Sequence, residues 1–221
     1  MLLRTPPEVL LLLVPVLLFA LCFHEFAHAW MANKLGDPTA KHSGRLTLNP
    51  LAHLDPMGSL MILFVGFGWA KPVPVDVRYL QNPRTDMMKV AFAGPAANLF
   101  LAFITGILCR NIDLSANKII RIINFSSNGS ASNLEEILSY FLFINLALAV
   151  FNMIPIPPLD GSQIFSGLMV RKKPGLVMKL QMYGPQILFG LILIGYFTNF
   201  SPLWWAMGPF VNFFLFLFAG I

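Results

Sequence analysis

Residues 9–33 read VLLLLVPVLLFALCFHEFAHAWMAN. As an α-helix, a run of this length crosses the roughly 30 Å hydrocarbon layer of a bilayer. It nevertheless contains His24, Glu25 and His28. Ionisable groups are costly inside a membrane, and such a cluster within a span marks a functional site by default.

The rest of the chain agrees with the membrane setting. Of its 221 residues, 57% are hydrophobic and 11% charged, and the mean hydropathy is +0.70. A soluble domain of this length carries roughly twice that charge. The net charge is +5, as expected of a membrane protein whose cytoplasmic loops are enriched in Lys and Arg. No Arg-rich patch interleaved with aromatics occurs, so nucleic acid is not an expected partner. Cys22 and Cys109 are the only cysteines, which excludes a disulfide framework. The N-terminal run lacks a small-residue cleavage site and is expected to be a retained span.

Apolar periodicity predicts spans at about 9–33, 88–110, 136–156, 179–198 and 203–220. The fold expected is an all-α polytopic membrane protein with about five transmembrane helices. A further piece at 57–69, MGSLMILFVGFGW, is short and broken by Gly58, Gly66 and Gly68. The following AKPVPVDVRY (70–79) alternates valines with two prolines and reads as an extended edge strand. The whole chain, 1–221, is expected to be one domain, with a core at 9–165 and accessory C-terminal helices at 179–220.

The basic residues decide whether 57–69 crosses. If it turns back, one face holds Lys34, Lys41, Arg45, Lys71, Arg78, Arg84, Lys89, Arg171, Lys172, Lys173 and Lys179, eleven of the fifteen. If it crosses, the split is nine to six. The positive-inside rule favours a re-entrant hairpin, with the richer face cytoplasmic.

His24 and His28 are four residues apart and project from one helix face about a turn apart. That spacing lets both imidazoles bind one Zn²⁺ with Glu25 beside them as general base for an activated water. A catalytic zinc takes three protein ligands and one open position. The best third ligand lies in FNMIPIPPLDG (151–161). Its prolines end the preceding span, so the chain can turn back and present Asp160, with Gly161 permitting a tight turn. For Asp160 to share the histidines' face, an even number of crossings must separate them. The spans at 88–110 and 136–156 supply two, which again keeps 57–69 from crossing.

HEFAH (24–28), AGPAANL (93–99) and NMIPIPPLDG (152–161), in that order and on separate spans, resemble the site-2 protease family of intramembrane zinc metalloproteases. The likeness covers about residues 9–165. GRLTLNPLAHLDPMG (44–58) and GWAKPVPV (68–75) resemble its small branch, without PDZ or CBS domains. The resemblance implies one zinc per chain on His24, His28 and Asp160, with Glu25 as catalytic acid/base. It also implies membrane-protein substrates that carry a transmembrane helix. The expected location is a bacterial or archaeal cell membrane, multi-pass, with the site toward the cytoplasm. The oligomeric state is left open.

Other polar residues admit two roles each. Asn152 matches the family's motif asparagine and either meets substrate or the reacting centre, or caps a helix end. His53 either assists substrate or oxyanion binding or is a plain loop histidine. Asn98 belongs to a small-residue helix face with Gly94, and the resemblance makes it a candidate site-lining residue. Asp55 is expected to start a turn, and His42 to be solvated. Residues 66–77 could pair with an extended substrate segment. Two non-proteolytic functions compete, a catalytically silent scaffold for membrane helices and a metal transporter. Glu25 argues against the scaffold, and the scarcity of ionisable groups in the later spans argues against the transporter.

Overall fold

The computed structural model describes residues 7–65, 68–124, 131–198 and 200–220. They form ten α-helices. These are α1 (Pro7–Lys34), α2 (Thr39–His42), α3 (Pro50–His53), α4 (Pro56–Val65), α5 (Pro83–Asn111), α6 (Ala116–Ile123), α7 (Asn133–Asn152), α8 (Asp160–Met169), α9 (Pro174–Phe197) and α10 (Pro202–Ala219). Five of them, α1, α5, α7, α9 and α10, are long and apolar enough to span a bilayer. The protein is an all-α, multi-pass membrane protein.

The span boundaries differ from the hydropathy expectation for local reasons. Helix α5 starts five residues early, at Pro83, where proline's missing amide costs nothing in a first turn. Asp86 fixes this start by accepting the Asn82 amide at 2.9 Å, while its own amide donates to Asn82 O. Pro174 likewise opens α9 ahead of the apolar run. Helix α7 starts in a capping box between Ser132 and Glu135 and stops at Asn152, not 156. Pro155 offers no amide and would clash with the carbonyl four residues before it.

Helices α1, α5 and α7 pack together, and α8 lies against α5. Helix α10 covers α5 and α7, whereas α9 touches mainly α10 and α8. Association of spans within lipid depends on close backbone approach, because lipid is as apolar as the side chains. Gly106 shows this: a Cβ there would lie 2.9 Å from the backbone of Phe218 on α10. Arg110 locks the same crossing by donating to the carbonyl oxygens of Leu217 and Phe218 at the end of α10. Around this crossing, Leu114, Ile119, Leu142, Leu146, Val211 and Leu215 are fully buried.

The two ends of the predicted re-entrant piece are held together. Leu54 and Ala70 make an antiparallel bridge, and Lys71 N donates to His53 O at 2.8 Å. The two ends of the segment therefore meet, which a membrane-crossing segment cannot achieve. Helix α4 is ten residues long, about 15 Å at 1.5 Å per residue, half the hydrocarbon thickness. Gly58 is required because a Cβ would collide with the Trp69 backbone. The predicted break at Gly66 lies outside the described residues.

The predicted edge strand at 70–79 is not formed. Among the described residues this stretch contributes one bridge, at Ala70, and a 3₁₀ turn at Val77–Tyr79 capped by Asp76. Pro72 and Pro74 have no amide to place in a ladder. Arg45, buried, takes the carbonyls of Lys71 and Pro72 with one guanidinium nitrogen and that of Ala52 with another. Buried Asp37 anchors the far end, accepting from Asp76 N at 2.8 Å and from Thr39. Neither Arg45 nor Asp37 stood out in the sequence as a structural residue.

Candidate metal centre

The histidines lie on the buried face of α1, 4% and 8% exposed for His24 and His28. Residues 153–159 bend away from α7 through a series of turns and deliver Asp160 as the first residue of α8. A carboxylate in a first helical turn is favoured by the amides facing it. Gly161 beside it has no left-handed backbone. Its role is close approach, since a Cβ there would sit 2.7 Å from Ile154 O and closer still to Met153 O. The tight-turn explanation is thereby replaced.

Three ligand atoms converge. His24 Nε2 lies 3.0 Å from His28 Nε2 and 3.1 Å from Asp160 Oδ2, and His28 Nε2 lies 3.3 Å from the same oxygen. Ligands about 2.0–2.1 Å from a tetrahedral zinc stand roughly 3.3 Å apart, so the spacing suits that ion.

The outer nitrogens decide what these atoms carry. His28 Nδ1 lies 2.7 Å from Val90 O, an acceptor, so this nitrogen bears the proton and donates. His24 Nδ1 lies 2.6 Å from Asn98 Oδ1. The Asn98 amide is oriented by its NH₂ group, which donates to Ala20 O at 3.1 Å and Asn145 Oδ1 at 2.9 Å. Its oxygen therefore faces His24 and accepts. In the neutral imidazoles both Nε2 atoms then present lone pairs to one another and to a carboxylate oxygen. A cation reconciles three such electron-rich atoms, and the residues fit zinc. This is the histidine tautomer that a metal requires, set by the partner of the other ring nitrogen.

Helix α5 supplies most of the support. A Cβ on Gly94 would lie 2.6 Å from His24 Cε1 and Nε2, and closer to His28 Nε2. Glycine there is the floor under both rings. Asn98 and Asn145 are fully buried, and Asn145 donates onward to Phe141 O at 2.8 Å. The histidine is thus tied through two amides to α7. Asn145 was not singled out in the sequence. An amide inside a long apolar run was the available signal.

The family comparison agrees with this chemistry. The profile of Peptidase family M50 matches residues 12–195. The chain belongs to peptidase family M50, the site-2 protease family. The chain is 43% identical over 168 residues to "Putative zinc metalloprotease YwhC" of Bacillus subtilis, covering 76% of this chain and 72% of that protein. It is 35% identical over 161 residues to "Putative zinc metalloprotease Rip2" of Mycolicibacterium smegmatis, covering 69% of this chain and 55% of that one. The chain therefore spans just over half of Rip2. No solved structure matches. Zinc is the cofactor that family membership and the donor set both indicate.

The remaining candidates fall at different distances from the centre. Glu25 is half-buried next to His24 and makes no hydrogen bond or ion pair among the described residues. Asn152 ends α7 and donates its amide to Leu148 O at 3.0 Å. His53 is 1% exposed at the base of the hairpin, where Nε2 donates to Thr47 O at 2.8 Å and Nδ1 has no partner among the described residues. It lies outside the three-residue ligand group. Asp55 accepts the Gly58 amide at 2.7 Å and opens α4 as expected, and His42 is exposed in α2.

Proposed function

We propose that the chain is an intramembrane zinc metalloprotease that hydrolyses peptide bonds in or near the transmembrane segments of membrane-protein substrates. His24, His28 and Asp160 hold the zinc, and Glu25 is the general base. The observation that carries this reading is the convergence of two imidazole Nε2 atoms and a carboxylate oxygen within 3.3 Å of one another. Family membership supports the reaction class.

Zinc held there supplies Lewis acidity, which makes a water nucleophilic near neutral pH and polarises a peptide carbonyl. The Glu25 carboxylate, without a hydrogen-bond partner among the described residues, takes the proton of that water and returns it to the departing amine nitrogen. Asn98 and Val90 O keep both rings in the lone-pair-inward tautomer throughout. Asn152 commits one N–H to Leu148 O, which leaves its second N–H and its Oδ1 to meet a substrate peptide. His53 Nε2 donates to Thr47 O, so in the neutral ring Nδ1 is an acceptor, and its bonds favour service at the hairpin base.

A helical substrate hides its carbonyls within its own hydrogen bonds and must unwind to be cut. Strand addition on residues 70–74 can contribute little. Lys71 N, Lys71 O and Pro72 O are engaged within the protein, and two of the five residues are prolines. The site faces the side that carries eleven of the fifteen basic residues, and we assign it to the cytoplasmic side. Residues 9–165 of the single domain hold the whole proposed site, with the later helices accessory.

Glu25→Gln tests the assignment. The variant should keep one zinc per chain and lose cleavage of a model membrane substrate by about 10²–10⁴-fold. Cleavage that persists with zinc bound removes Glu25 from the mechanism. A parent protein that binds membrane helices without cutting them, or that moves metal across a vesicle membrane without proteolysis, overturns the protease reading.

A further inference from the structure

A cavity lies apart from the metal centre, between the first turn of α5, helix α8 and the start of α9, with a volume of about 430 Å³. Its lining is divided by chemistry. Met87 and Val177 present apolar surface, whereas Arg84, Gln163, Ser166 and Gln181 present polar groups. Gly167 makes the wall possible by letting α8 approach Met88 of α5 without a Cβ in the way. The Arg84 Nε donates to Gly167 O, which fixes the guanidinium against that wall. Its other nitrogens bond no protein atom among the described residues.

The charge around the cavity is one-sided. Val170 and Pro174 both line it, and the turn between them is Arg171, Lys172 and Lys173, all exposed. The nearby acids are already engaged, Asp76 with Arg78 and Asp86 with Lys89. Pro83 and Pro174 begin two membrane spans, so the cavity sits at the level where hydrocarbon gives way to headgroups. Met178 lines the cavity, and with Met182 one turn further along α9 it is largely exposed, at 69% and 52%, an apolar track leading into the membrane.

We propose that this cavity binds an anionic glycerophospholipid. The phosphate meets the free terminal-nitrogen edge of the planar Arg84 guanidinium, which can donate to two phosphate oxygens at once. Gln163, Ser166 and Gln181 receive the polar headgroup, and the acyl chains descend along α9. A basic pocket between spans at the membrane surface is a recurrent headgroup site. Charge complementarity selects this occupant over a neutral lipid or a peptide.

The test uses the full-length, zinc-loaded protein reconstituted with phosphatidylcholine containing about one-quarter phosphatidylglycerol. Native mass spectrometry counts the lipids retained on release. The parent protein should retain phosphatidylglycerol at least about fivefold over its share of the mixture. Arg84→Gln should abolish that preference. Ser166→Phe, which fills the cavity and removes no charge, should abolish it too. Lys41→Gln, which removes a basic residue outside the cavity, should leave it unchanged, and zinc content should be normal in all three. The proposal fails if Arg84→Gln and Ser166→Phe retain the preference. It also fails if Lys41→Gln loses it equally, which would make the attraction diffuse surface charge.

Discussion

Helices α5 and α9 are built alike and used differently. Each opens with proline in its first turn, each carries an interior proline, Pro95 or Pro185, and each is long enough to cross the bilayer. Yet 44% of the apolar window of α5 is buried, against 17% for α9. Helix α5 buries Asp86, Gly94, Asn98 and Thr105, whereas α9 buries only Val177, Gly184 and Leu188. In lipid, an apolar face gains little by touching another apolar face. A helix is held where it offers close backbone approach or a polar group that needs a partner. Helix α5 offers both, directly beneath the two histidines. Helix α9 approaches the metal-site loop at Gly184, which lies against the Pro157 ring.

The sharpest way to break this contrast is a glycine substitution on each helix. Gly94→Val should lower zinc content at least about tenfold and cleavage at least about 100-fold, since its side chain would occupy the space of both imidazoles. Gly190→Val on α9, where a Cβ meets nothing within 4 Å, should leave both unchanged. Metal analysis of the two purified variants decides. Equal losses would show that α5 has no special relation to the centre.

A smaller effect is expected from the hydrogen bond that holds His24. Asn98→Ala should weaken zinc binding about 10–100-fold, read by titration with a competing chelator. Unchanged affinity would mean that the tautomer is set without Asn98. One helix further out, Asn145→Leu removes a single interhelical bond, typically worth about 0.6 kcal/mol in a membrane. It should weaken zinc binding only about threefold, and Asn145→Gln should restore part of the loss.

The mildest prediction concerns the approach of α9 to the metal-site loop at Gly184. Gly184→Ala pushes on Pro157 and should reduce cleavage a few-fold while zinc content stays at one per chain. Ile187→Ala, at a lipid-exposed position of the same helix, should change stability by less than about 0.5 kcal/mol. If the two variants behave identically, α9 does not communicate with the loop.

The same contrast explains which parts of the protein could be read in advance. Hydropathy found all five spans, because crossing a bilayer demands a long apolar run and little else. It misplaced the starts of α5 and α9, because charged and proline-bearing first turns lie above the hydrocarbon. The re-entrant segment was legible through charge bias and crossing parity. The strand expected after it was not formed, since the Arg45 side chain claims the carbonyls that a ladder would have used.

At the centre, the four-residue spacing of His24 and His28 is a property of any helix, so sequence alone determined that they share a face. Proline chemistry determined that the chain leaves α7 before Asp160. The partners that set each ring's proton, Val90 O and Asn98, lie 62 and 74 positions away. The space that admits the rings depends on a glycine of another helix. Which backbone carbonyl or amide meets a ring nitrogen depends on how closely two helices approach and how each is rotated. Those quantities exist only once the spans have packed, and the tertiary structure alone decided them.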